Sequence, residues 1–226
     1  MLANGDSSQA LLVGTHAFDC VTPVSSSAAL GMKAAGFGAC IRYLSRSDTQ
    51  GALDLSSNEA NAVLGAGLAL GAGLALGAVQ HVSAEGWSPS ATLGATYGAN
   101  AAGNAQTVGV PPGVTVWLDL EGVNNAADSG DVIAYCNAWF AAVKNAGYQP
   151  GIYVGANCGL TGDQLFWNLQ TQHYWESGST VPALPQRGYQ MTQRITAAPD
   201  MLCGLNIDRN LTLSDSLGGQ ATWWCR

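Results

Sequence analysis

The chain is short of charge. Asp, Glu, Lys and Arg make up 10% of its residues, against about 25% in ordinary globular domains. Basic residues are scarcest. Lys33 and Lys144 are the only lysines, and 8 Lys and Arg face 15 Asp and Glu, for a net charge of −7. No basic patch is visible, which argues against nucleic acid and an anionic membrane surface as partners. A polymeric partner must be held by shape and hydrogen bonds. Long hydrophobic runs are also missing. The most apolar stretch, about 62–80, is broken by five glycines, so no membrane insertion is expected. The N-terminus lacks a basic n-region and does not read as an intact signal peptide. The expectation is a trimmed mature start or another export route, with a secreted or cell-envelope (periplasmic) location. No C-x-x-C pair occurs among Cys20, Cys40, Cys136, Cys158, Cys203 and Cys225, which removes zinc-ribbon and thioredoxin readings. An even cysteine count suggests disulfides, with Cys203–Cys225 the favoured pair; the alternative is six buried thiols. No metal site and no cofactor are expected.

What the chain does have centres on residues 115–122, Thr-Val-Trp-Leu-Asp-Leu-Glu-Gly. Val114, Val116, Leu118 and Leu120 alternate with Thr115, Trp117, Asp119 and Glu121. A strand sends alternate side chains to opposite faces, so Asp119 and Glu121 share one face about 7 Å apart. The alternative is an edge strand with two solvated acids. Gly and Pro turn signals bound this stretch and helical patterns flank it, which favours a strand buried on both faces. Two acids there are costly unless solvated, paired or functional.

Around that strand the chain alternates. Residues 16–21 predict a first strand with Asp19 at its end. Ser25, Ser26 or Ser27 caps a helix to about Ala35, and 39–44 is a second strand carrying Arg42 and Tyr43. Ser56 or Ser57 opens a second helix. The duplicated hexapeptide Gly-Ala-Gly-Leu-Ala-Leu at 65–76 is too short for a solenoid and is read as lengthening that helix or its loop. A third strand at 77–83 carries Gln80 and His81 near its end, and Ser88-Pro89 begins a third helix. After the acid-bearing fourth strand, Asp131–Ala146 is the clearest amphipathic helix. Gly151–Gly155 is the fifth strand with Tyr153, followed by a helix over 162–169. Strands at 173–175 with Trp175, 188–193 with Gln190, and 205–210 with Asp208 complete the pattern. The 226 residues thus predict a single α/β domain, a (β/α)8 TIM-like barrel with abbreviated last helices. A doubly wound open sheet is the alternative, and it lacks the Gly-rich phosphate loop after the first strand.

In such a barrel the strand ends converge on one mouth. Asp19, Asp119, Glu121 and Asp208 then meet there, with Arg42, His81, Tyr153, Trp175 and Gln190 around them. Acids with amides and aromatic faces suit a sugar. Glycoside hydrolysis needs a carboxylic acid of raised pKa near a second, ionised carboxylate. Asp119 beside Glu121 supplies that split, because close like charges push one pKa up. His81 reads as a structural or subsite histidine. Trp117 is assigned to the barrel core, Trp139 and Trp167 to helix–barrel packing, and Trp223 and Trp224 to the barrel bottom or a partner surface.

The chain resembles the bacterial glycoside hydrolase-like TIM-barrel domain family, and more distantly the family 25 lysozymes, which cleave the peptidoglycan glycan strand. The resemblance rests on Phe18-Asp19, Arg42-Tyr43-Leu44, Asp119-Leu120-Glu121, Gly151-Ile152-Tyr153, Tyr189-Gln190 and Ile207-Asp208-Arg209-Asn210. It implies Glu121 as general acid, Asp119 as the assisting group, Asp19 and Asp208 lining the sugar subsite, and Tyr153 and Gln190 as substrate ligands. Lysozymes of that kind carry tryptophan where this chain has Tyr189. The expected partner is a polysaccharide, the peptidoglycan strand, bound by a monomer. The alternatives are an inactive glycan-binding barrel and an interaction domain of an exported effector that uses the C-terminal tryptophans.

Overall fold

The computed structural model describes residues 6–67, 73–196 and 198–226. The barrel wall is a closed ring of eight strands. In ring order they are β2 (His16–Asp19), β3 (Ala39–Leu44), β4 (Ala75–Gln80), β5 (Thr115–Leu120), β6 (Gln149–Val154), β7 (His173–Glu176), β8 (Met191–Arg194) and β10 (Leu205–Thr212). From β2 to β8 every neighbouring pair is parallel. Helices α1 (Ser26–Ala34), α2 (Ser57–Gly65), α3 (Ala91–Val108), α4 (Ser129–Asn145) and α5 (Gly162–Asn168) follow β2 to β6 in turn.

The last strand departs from the expected pattern. β10 is antiparallel to both β8 and β2. The reason is the length of its connection. A parallel return needs a crossover of a dozen or more residues, usually a helix. Among the described residues between β8 and β10 there is only the short strand β9 (Asp200–Leu202), which pairs with β10 as a hairpin. Asp208 therefore reaches the mouth from within a descending strand, opposite Asp19 in the ladder, and not from a strand's C-terminal end.

Two strands missed in the sequence close the other end. β1 (Ser7–Ala10) pairs with β11 (Thr222–Cys225), and β11 meets β4 at Trp224 and Leu76. Trp223 plugs the barrel from below, among Ala17, Ala39, Ile41 and Ala75. Gly77 makes room for it, since a Cβ there would stand 3.0 Å from the Trp223 ring. Trp223 and Trp224 are both buried, so they form the bottom and offer no partner surface. All six cysteines are free. Cys203, in the turn after β9, packs against Gly31 of α1, while Cys225 lies in β11 beneath the barrel. The expected Cys203–Cys225 bond is not formed. Of the duplicated hexapeptide, Gly65 ends α2 and Ala75-Leu76 open β4; 68–72 lie outside the described residues.

Polar caps set the helix starts. Ser25, Ser56 and Ser90 each accept a backbone N–H of the first turn, Asp128 does so for α4, and Thr161 forms a capping box with Gln164. Helices α3 and α4 pack backbone to backbone. A Cβ at Gly94 would overlap the Tyr135 carbonyl, and one at Gly98 would lie 2.7 Å from the Trp139 carbonyl. Alanine favours a helix by about 1 kcal/mol over glycine, but overpacking costs about 1–3 kcal/mol, and a backbone carbonyl cannot rotate away. Gly94→Ala is expected to lower the melting temperature. Gly103→Ala, on the same helix with open space around it, is expected to raise it. A Gly94→Ala melt at or above wild type would show that the two helices have slack.

Candidate active site

Parity along β5 divides its side chains. Val116, Leu118 and Leu120 pack outward on the helices, while Trp117 joins the inner core. Asp119 follows Trp117 on the inner face at the mouth, as the sequence pattern implied. It lines a cavity of about 200 Å³ together with Glu121, Asp208, Tyr43, Tyr153, Trp175 and Gln193.

The acids differ in what holds them. Asp19 is buried and fully engaged. Asn210 Nδ2 donates to its Oδ2 at 2.7 Å, Gln193 Nε2 donates to the same oxygen at 3.1 Å, and the Tyr43 hydroxyl stands 3.4 Å from Oδ1. Those partners are themselves fixed. The Trp175 indole donates to Asn210 Oδ1 at 2.9 Å, and the Tyr153 hydroxyl donates to Gln193 Oε1 at 2.8 Å. Asp119, in contrast, has a buried Oδ1 with no partner. Its pKa is pushed well up, first by burial, then by the charges of Glu121 and Asp19. Glu121 is less enclosed, and its pKa is raised by burial and by Glu85. Its side chain occupies space left by Gly155, where a Cβ would stand 2.5 Å from Glu121 Cβ and Oε2. The Trp87 indole holds the Glu121 carbonyl at 2.9 Å. Beyond the cavity, Glu121 also borders a second depression of about 240 Å³ with Ser83, Glu85 and Asn157. Asp208 is half-buried, with its pKa raised by burial and by Asp200.

Burial raises the Asp19 carboxyl to about 6 from 3.8, against the opposing hydrogen bonds of Asn210 and Gln193. A raised acid binds more protons folded than unfolded, so stability falls as pH rises. The contribution is complete below the unfolded value of 3.8 and lost as pH passes about 6; it amounts to about 3 kcal/mol. Asp119 and Glu121 act in the same direction. Asp215, whose pKa is lowered, loses its contribution only below the ordinary carboxylate range; His173, held neutral by burial, opposes the trend as its unfolded ring protonates, one group against three raised acids. The denaturation midpoint is therefore expected to be higher at pH 4.5 than at pH 7. An unchanged or lower midpoint at pH 4.5 would contradict the burial of these acids.

Three expected ligands lie elsewhere. Arg42 points outward from β3, fully buried. Its Nε pairs with Glu59 Oε1 at 2.5 Å, and its other nitrogens donate to the carbonyls of Cys20, Val21 and Leu53. It is a structural residue and does not reach the mouth. Gln190 precedes β8 and sits at the bottom, where its Nε2 donates to Asp215 Oδ2 at 2.7 Å. The glutamine at the mouth is Gln193, the same strand's upper residue. His81 stands just past β4 at the rim. Its ring stacks on Tyr43 at 4.5 Å, and its Nε2 is 2.9 Å from Asp54 Oδ1. It braces the tyrosine without lining the cavity. Tyr153 and Trp175 are where the sequence placed them. The signal for Gln193 was present, since it shares a face with Met191, whereas Gln190 does not.

Among curated proteins, none matches this chain in sequence. Solved structures match over nearly its whole length. The Tat-secreted protein Rv2525c of Mycobacterium tuberculosis is 16% identical, with a TM-score of 0.63 over 92% of this chain and 98% of that one. A bacterial lysozyme from Streptomyces coelicolor is 17% identical, with a TM-score of 0.55 over 92% and 94%. A family 25 glycosyl hydrolase from Bacillus anthracis is 14% identical, with a TM-score of 0.54 over 91% of each chain. These likenesses establish the lysozyme-like barrel. In sequence, residues 31–212 match the Rv2525c-like, glycoside hydrolase-like domain. That match spans most of the barrel and contains every mouth acid but Asp19, and the chain belongs to the Rv2525c-like glycoside hydrolase-like family.

Proposed function

We propose that the protein hydrolyses glycosidic bonds of the peptidoglycan glycan strand, outside the cytoplasm or within the cell envelope. One observation carries this reading. Two carboxyl groups line one cavity at the end of β5, Asp119 buried and Glu121 half-buried, each close enough to raise the other's proton affinity. Such a pair retains one proton between them, and glycosidases use one protonated and one ionised carboxyl group.

Glu121 donates its proton to the glycosidic oxygen as that bond breaks. Its place between the main cavity and the Glu85-side depression suits a residue between the two sugars being separated. In the acting form the pair holds one proton, on Glu121; Asp119, already ionised, stabilises the charge that develops on the sugar ring, and either accepts a proton from the attacking water or accepts from the N–H of the 2-acetamido group. Asp19 has its oxygens committed to Asn210, Gln193 and Tyr43; it positions the cavity floor and carries negative charge toward Asp119. Tyr153 forms part of the cavity wall against the buried Trp175, and Asp208 accepts from the sugar's hydroxyls. The lysozyme fold and the family 25 likeness support the same substrate class.

Purified insoluble peptidoglycan incubated with the protein should release muropeptides with new reducing ends, identified by mass spectrometry. Retention on the wall without release would make the barrel a glycan-binding domain.

A further inference from the structure

At the end of the barrel opposite the mouth lies a larger cavity, about 420 Å³ against 200 Å³. Its walls come from elements at that end: Lys144 in the last turn of α4, Gln149 where β6 begins, Gln170 and Gln172 after α5, and His173 where β7 begins. The size lies within the about 300–1,000 Å³ range of small-ligand sites. One of the chain's only two lysines is here.

The polar groups are poised outward. Gln190 Nε2 donates to Asp215 and to the Gln172 carbonyl, so its Oε1 is left to accept from His173 Nδ1 at 2.7 Å. Burial lowers the His173 pKa, which keeps the ring neutral with its proton on Nδ1. Nε2 then carries a lone pair. Among the described residues, the side chains of Gln149, Gln170, Gln172 and Lys144 make no hydrogen bond or ion pair. Just before this wall, in the last turn of α5, stands Trp167, 70% exposed. The sequence placed it in helix–barrel packing, but of the chain's tryptophans it alone is exposed. Trp167 is not itself in the cavity wall, but it comes two residues before Leu169, which is; an exposed indole offers an apolar face to a sugar ring's C–H groups, and the cavity's amides offer donors and acceptors to its hydroxyls.

We propose that this basal cavity and Trp167 form a second glycan-binding site, which anchors the protein to an N-acetylated polysaccharide strand away from the mouth. The inference rests on the glycan reading of the mouth, and extends it to a second contact that places the protein on an insoluble substrate. Effective concentration then raises the encounter of the mouth with neighbouring strands.

The test measures retention on purified insoluble peptidoglycan in a Glu121→Gln background, so that turnover does not enter, and sugar release by the wild-type protein in parallel. Trp167→Ala and Gln172→Ala are each expected to weaken retention by roughly tenfold, and Trp167→Phe to preserve most of it. A thermal melt checks each fold. Unchanged retention in both alanine variants, or no retention of the parent protein, overturns the proposal. Wild type that is retained through Trp167 yet releases no sugar would remove the hydrolase reading and leave this one standing. Release of sugar by wild type with retention indifferent to Trp167 and Gln172 would do the reverse.

Discussion

Glu121→Gln is expected to lower peptidoglycan turnover by on the order of 10²- to 10⁴-fold, the range that a positioned general acid contributes. The amide is isosteric and fits the space that Gly155 leaves, so the fold and the sugar contacts should persist and KM should change little. What is lost is a proton at the leaving oxygen. The wild-type rate should fall on the alkaline side as Glu121 ionises, above the ordinary glutamate range, because burial and Glu85 raise its pKa. That limb should vanish in the variant. A glycoside with an activated aryl leaving group needs no proton, so on that substrate Glu121→Gln should keep most of its rate. Asp119→Asn should fail on both substrates, because the developing ring charge is common to them. Full activity of Glu121→Gln on peptidoglycan would remove the assignment.

Much of this site was legible because β5 obeys a simple rule. Its alternation is unbroken from Val114 to Glu121, and parity alone placed Trp117 and Asp119 inside and the aliphatic residues outside. β3 gave no such signal. Ala-Cys-Ile-Arg-Tyr-Leu is buried on both faces, as parallel strands usually are, so nothing in the string tells which way Arg42 points. Its role depends on Glu59, seventeen residues away on another element. The two glutamines at β8 differ for a related reason. The sequence pattern puts its start at Gly188, whereas β8 begins at Met191, and that offset exchanges the bottom of the strand, near Gln190, for its top, at Gln193. The antiparallel β10 was foreshadowed by the thinning of helices after α5, since a connection too short for a crossover forces the chain back the other way. Burial of Trp223 and exposure of Trp167 depend on β11 and on the end of α5, whose surroundings no local pattern describes.

Arg42 carries the largest stability effect. Its guanidinium is fully buried and organises two loops at once: Nη1 holds the Cys20 and Val21 carbonyls after β2, and Nη2 holds the Leu53 carbonyl at 2.8 Å before α2. Glu59 completes the set, with Oε1 accepting both Arg42 Nε at 2.5 Å and the Val24 amide at 2.7 Å. Arg42→Leu removes one partner of a buried pair and leaves Glu59 uncompensated, which costs about 3–5 kcal/mol. The three carbonyls lose their donors as well. Arg42→Lys should recover little, because an ammonium cannot reproduce the planar fork. The double variant Arg42→Leu/Glu59→Leu relieves the stranded charge, so its loss should be smaller than the sum of the single losses. It should not be zero, since the loop carbonyls and the Val24 amide remain unserved. The exposed pair Arg209–Asp200 is the control, expected to change stability by about 0–1 kcal/mol on removal. Because Cys20 directly follows Asp19, loosening that loop should also misplace Asp19 and lower turnover below the melting temperature. Denaturant titration of wild type and these variants decides the point: an Arg42→Leu variant within about 1 kcal/mol of wild type would mean that water replaces the guanidinium, and that the loops hold the mouth without it.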